Sequence, residues 1–133
     1  MNQLYRQRLP ISVFIFTMLF IGTWPLYKFI FDVDGIGYAA VANHYVEGNF
    51  KLAVNGFWNP LHSWLAVPFI KAGLSDWAAF KISNGIFSIM SLIVLHSLLN
   101  KFSLSDWLKT SIQFISVILL LHYTYSELAA DAL

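Results

Sequence analysis

Cysteine is absent from the 133 residues. That removes disulfides, thiol nucleophiles and thiolate metal sites, and it leaves an oxidising compartment open without requiring one. Charge is scarce as well: Asp, Glu, Lys and Arg make up 11% of the chain, less than half the ordinary share. The formal net charge of +1 supplies no field that would gather nucleic acid. No arginine follows Arg8, so an anion met further along the chain has only lysine or histidine to face. Internal repeats, low-complexity tracts and Pro/Gly/Ser linkers are also missing, which makes one membrane domain over 1–133 the simplest division. No apolar run carries the central acidic residue or broken-helix pattern of a transporter site.

What is present in excess is apolar and aromatic surface, 58% and 17% of residues respectively. Three segments are long enough to cross a bilayer: about 10–31, about 78–99 and about 108–126. The first could be taken for a signal peptide, since Arg6 and Arg8 precede it. It is too long and too aromatic for one, and Gly22-Thr23-Trp24-Pro25 lacks the small-x-small cleavage pattern. Orientation follows from the basic residues: Arg6, Arg8, Lys101 and Lys109 flank the spans on one side, which the positive-inside bias makes cytoplasmic. The loop over 32–77 is then external, and the third span delivers Glu127 and Asp131 to that same face. The fold expected is an all-α membrane protein of about three transmembrane helices, with one or two interfacial helices in its external loop.

That loop holds the chemistry. Asp32 and Asp34 stand directly after the first span, and loops this long are usually functional. From Gly37 to Val46, Tyr38, Val41, Ala42 and Tyr45 recur at helical spacing, which predicts a short amphipathic helix lying on the membrane surface. Gly48-Asn49 ends it and Asn55-Gly56 marks a turn. Asn59-Pro60 opens a second helical stretch, Leu61 to Ala72, which Pro68 interrupts, and Ser75-Asp76 can cap the next helix.

Three stretches then carry a resemblance: Asp34-Gly35-Ile36-Gly37-Tyr38-Ala39-Ala40-Val41-Ala42, Glu47-Gly48-Asn49-Phe50, and Asn55-Gly56-Phe57-Trp58-Asn59-Pro60-Leu61-His62-Ser63-Trp64. Together they look like the first external loop of membrane glycosyltransferases of the C-type fold (GT-C). The similarity is closest to the protein O-mannosyltransferase and lipid A aminoarabinose transferase group. The ending Tyr125-Ser126-Glu127-Leu128-Ala129-Ala130-Asp131 is similar to the family's second external motif. Two departures stand out: Gly35 lies where the family often has a second acid, and Glu127 and Ala130 lie where it often has Arg and Pro.

The resemblance implies transfer of a sugar from a polyprenyl-phosphate donor to a lipid, glycan or protein acceptor outside the cytoplasm, at a bacterial inner membrane. It makes Asp34 the general base, with Asp32 orienting it or the acceptor. Tyr38, His62, Lys71 and Lys81 are the substrate-binding candidates, the two lysines facing the leaving phosphate. Glu127 and Asp131, at i, i+4 spacing, are the candidate ligands of a divalent metal ion. Members of this group are several times longer, so the chain reads as an amino-terminal portion of a larger GT-C fold. Each feature also has a plainer reading. The two aspartates can cap a helix beginning near Gly35; His44 and His62 can be interfacial amphipaths; and Trp58, Trp64 and Trp77 can form an aromatic belt. A different class of function is a small non-enzymatic membrane protein whose external loop binds lipid or a partner.

Overall fold

The computed structural model describes residues 7–27, 33–54, 56–57 and 59–126, and among them every regular element is an α-helix. In chain order these are α1 (Arg8–Tyr27), α2 (Val33–Val46), α3 (Phe50–Ala53), α4 (Pro60–Lys71), α5 (Asp76–Lys101) and α6 (Asp106–Ser126). α1 is rich in β-branched and aromatic residues, which are mediocre helix formers in water. Inside hydrocarbon the choice is different, because each peptide group must find its partner within the segment. The hydroxyls of Thr17 and Thr23 donate to the carbonyls of Val13 and Leu19 at 2.8 and 2.6 Å, so they too are satisfied without water. Pro10 falls in the first turn, where no donor is required.

Two helices, α1 and α5, are long and apolar enough to cross a membrane among the described residues. Only 11% of the apolar stretch of α1 and 33% of that of α5 is buried within the chain. A core helix of a soluble domain would be mostly covered; these two are not, which is the pattern of a candidate membrane-spanning helix. α6 matches the expected third segment in position but is less apolar than the other two.

Helix ends follow local chemistry. The tetrapeptide Leu-Ser-Asp-Trp occurs at 74–77 and again at 104–107, and each time it starts a helix. Ser75 Oγ accepts from the Ala78 N–H and Ser105 Oγ from the Leu108 N–H, both at 3.4 Å, with Asp76 and Asp106 in the favourable first turn. α2 closes on Gly48 at φ +76°, with Asn49 N–H donating to His44 O and Gly48 N–H to Tyr45 O. α4 closes the same way on Gly73 at φ +92°. These are Schellman ends, whose left-handed residue is cheap only for glycine. Asn59 caps α4 by accepting from Leu61 N–H at 3.0 Å, ahead of Pro60. Pro68 sits inside α4 without ending it.

The chain forms two compact units. The first takes its described residues from Met1–Pro25 and Gly85–His122, the second from Leu26–Asn84 and Tyr123–Leu133. In the first, Phe16, Leu92 and Val117 form the core with Val13, Phe20, Ile89 and Leu120 around them. The Phe20 ring lies 3.3 Å from where a Cβ on Gly85 would stand, so glycine lets α1 close on α5. Beside that core, fully buried Gln113 donates from Nε2 to Ser12 Oγ at 3.3 Å and to Leu92 O at 3.1 Å. In the second unit α2 packs on α4, with Tyr38, Ala39, Ala42, Ala66, Ala79 and Phe80 in contact. Of the apolar stripe of the helix expected on the membrane surface, Tyr38 and Ala42 are therefore covered by the chain's own α4 and the start of α5.

Candidate functional site

The second unit holds all the sequence-derived site residues that fall within the described part. Asp34 occupies the first turn of α2 and is exposed. A carboxylate there is stabilised by the positive end of the helix dipole. Among the described residues, however, none donates a hydrogen bond to its side chain, so it does not serve as a closed cap. One turn on, at i, i+4, comes Tyr38, which the helical repeat places on the same edge as Asp34. Tyr38 is buried, its carbonyl accepts from Ser63 Oγ at 3.0 Å, and its ring lies 5.4 Å from that of His62.

His62 is the centre of this cluster. α4 presents it between Tyr38 and Phe80, whose ring is 5.1 Å away. The side chain is buried and Nε2 has no hydrogen-bond partner. Burial pushes the imidazole down to about 4, while a hydrogen bond with the neighbouring Asn84 side chain acts in the opposite direction. At neutral pH the ring is therefore uncharged and keeps one unmade hydrogen bond. Such a group can meet a hydroxyl as donor or acceptor, but it cannot balance a phosphate.

Lys81 follows Phe80 on α5 and is also buried. Its ammonium donates to Tyr125 O at 3.1 Å and lies 5.5 Å from the centre of the Tyr125 ring, which stacks on Tyr27 at 4.9 Å. Lys71 is exposed at the far end of α4, roughly 13 Å along the helix axis from His62. Tyr38, His62 and Lys81 are thus buried side chains of the second unit, whereas Lys71 is exposed on its surface. Asp32, Glu127 and Asp131 lie outside the described residues. The described residues bring no three His, Asp or Glu side chains together, so no metal site is assembled from them, and the expected ligand pair falls beyond their limits.

Two contributors were not singled out from sequence. Asn84 is buried beside His62, and Asn43 Nδ2 donates to Asp76 Oδ2 at 2.9 Å, tying α2 to the first turn of α5. A signal for the first existed: Lys81, Ser83, Asn84 and Ser88 are all buried and recur at helical spacing within an otherwise apolar run. Other candidates sit elsewhere. Trp64 is exposed and packs edge-on to Tyr45 at 5.9 Å, Trp77 is exposed, and His44 Nδ1 lies 3.8 Å from Glu47. Comparison with family models, with curated proteins and with solved structures finds no match to this chain.

Proposed function

We propose that the chain belongs to a membrane glycosyltransferase that moves a sugar from a polyprenyl-phosphate donor to an extracytoplasmic acceptor. The observation that carries the reading is Asp34: an exposed carboxylate in the first turn of α2, just beyond a candidate span, on the same helix edge as Tyr38. In this reading α6 is a third span, the fold is a portion of the GT-C type, and residues 32–77 face outward from a bacterial inner membrane. The acceptor O–H transfers its proton to the Asp34 carboxylate as its oxygen bonds to the anomeric carbon. The bond from that carbon to the phosphate oxygen breaks, and polyprenyl phosphate leaves with the electron pair. Lys81, a buried cation of the unit, suits the leaving phosphate better than Lys71 does. Neutral His62 suits a sugar hydroxyl, and Tyr38 holds it in place.

The test is transfer activity in membranes of cells expressing the gene that encodes this chain. Asp34→Asn keeps shape and removes only the proton-accepting charge, so transfer should fall by roughly 10² or more with unchanged membrane insertion. Asp32→Asn should cost less. Wild-type transfer from Asp34→Asn would end the catalytic reading. The non-enzymatic alternative draws on a different observation: Phe50, Leu52, Val54 and Phe57 are all exposed on the loop, a surface suited to lipid or a partner.

A further inference from the structure

Among the described residues of the first unit, Arg8 is the one buried charged side chain, at 4% exposure. Its Nε donates to His96 Nδ1 at 3.3 Å and its Nη2 donates to Asn100 Oδ1. Both acceptors are neutral: Asn100 has no charge, and a His96 nitrogen that accepts from a guanidinium is deprotonated. No carboxylate lies within ion-pair distance of Arg8 among the described residues. Two of its five N–H donors are committed to neutral acceptors, and none of the described carboxylates compensates its positive charge. Taking a guanidinium out of water is costly unless an anion accompanies it, and its planar fork matches phosphate oxygens in particular.

The place of this cluster narrows the anion. Arg8 begins α1, and His96 and Asn100 lie in the last turns of α5. Those are the ends of the two candidate spans, where the hydrocarbon gives way to headgroups. Asn100 and Lys101 are exposed there, so the cluster opens to the surface, and Lys109 near the start of α6 adds charge of the same sign. We infer that Arg8, His96 and Asn100 form a binding site for the phosphate of an anionic phospholipid headgroup, with Lys101 on its rim. Basic pockets between helices at a membrane boundary recognise headgroups in this way. The inference depends on the membrane reading alone and stands apart from any transferase activity.

The experiment uses the purified full chain in nanodiscs of phosphatidylcholine, with or without 30 mol% phosphatidylglycerol. Phosphatidylglycerol should raise the thermal midpoint by about 5 °C, and native mass spectrometry should retain it about fivefold better than phosphatidylcholine. Arg8→Gln should abolish both differences. Because Arg8→Gln could simply weaken the fold, Asn100→Asp is the decisive variant: it places a carboxylate on the guanidinium at nearly unchanged shape. It should fold at least as well as the wild type in phosphatidylcholine and lose the phosphatidylglycerol effect. Three outcomes would each overturn the proposal: no difference between the lipids for the wild type, a full phosphatidylglycerol effect in Asn100→Asp, or equal stabilisation by inorganic phosphate added to phosphatidylcholine discs.

Discussion

At the scale of single residues, buried polar groups set the properties that can be measured. His62 titrates near 4 in the folded chain because burial penalises the charged ring, whereas an unfolded histidine titrates near 6.5. Folding therefore excludes a proton, and the associated stability is complete above pH 6.5. It is lost as the pH falls from 6.5 to 4, and its full depth is about 3 kcal/mol. The stability difference between the wild type and His62→Phe should be constant above pH 7 and shift against the wild type between 6.5 and 4. A difference that stays flat over that window would show that the ring is solvated. Lys81 behaves differently. Lys81 bonds a neutral carbonyl, and relief of the cost of burying its charge offsets the lost hydrogen bond, so Lys81→Met should leave unfolding within about 1 kcal/mol of wild type. If Lys81 faces the leaving phosphate, the same variant should lose transfer activity, and that split separates a ligand from a structural clamp.

At the scale of elements, the sequence announced most helices because their periodicity and end signals agree. The stretch expected over 61–72 is Pro60–Lys71, and the segments expected at about 78–99 and about 108–126 are Asp76–Lys101 and Asp106–Ser126. Each begins where a capping Asn or Ser accepts the first amides. α2 was less legible at its start: the expected helix opened at Gly37, yet it runs from Val33. Gly35 and Gly37 read as breakers in isolation, but buried Gly35 lies along the packed side of α2 with Tyr38, Ala39 and Ala42, and tertiary packing overrides its propensity. The partners of Arg8 were not legible, because His96 and Asn100 are far from it in sequence, and the spacing of Lys81, Asn84 and Ser88 was the one trace of the neighbour of His62, since hydropathy averages the polar residues of α5 into an apolar run. Gln113 yields an element-scale prediction. It makes two hydrogen bonds but keeps a buried Oε1 with no partner. Bonds between helices in a membrane contribute about 0.6 kcal/mol on average, so Gln113→Leu should be near neutral in thermal unfolding. Gln113→Glu, which buries a charge in the same place, should be strongly destabilising. Gly48→Ala should cost roughly 1 kcal/mol from its positive φ alone, since nothing stands within 4 Å of the added Cβ.

At the scale of the whole molecule, the open quantity is the number of crossings, and α6 decides it. Its 21 residues reach roughly 31 Å at the helical rise, enough for the hydrocarbon core, so composition rather than length sets it apart from α1 and α5. Much of its polarity is already satisfied. Gln113 is turned into the first unit's core, and the hydroxyls of Thr110 and Ser116 donate to the carbonyls of Asp106 and Ile112 at 2.8 and 2.9 Å. Its exposed positions include Ile115, Ile118 and Leu119, side chains that hydrocarbon accepts and water does not. The proposed third crossing rests on these terms, and the absence of cysteine makes it measurable. Single cysteines at 50 and 55 should react with an impermeant reagent from outside, and one at 103 only after the inner face is opened. A cysteine at 133 discriminates the two cases. Three crossings place it outside with 50 and 55, whereas protection together with 103 would leave α1 and α5 as the only spans and bring Glu127 and Asp131 back to the cytoplasmic side. In that outcome the two ends of the expected site would lie on opposite faces, and Asp34 would have to work with groups of the 32–77 loop alone.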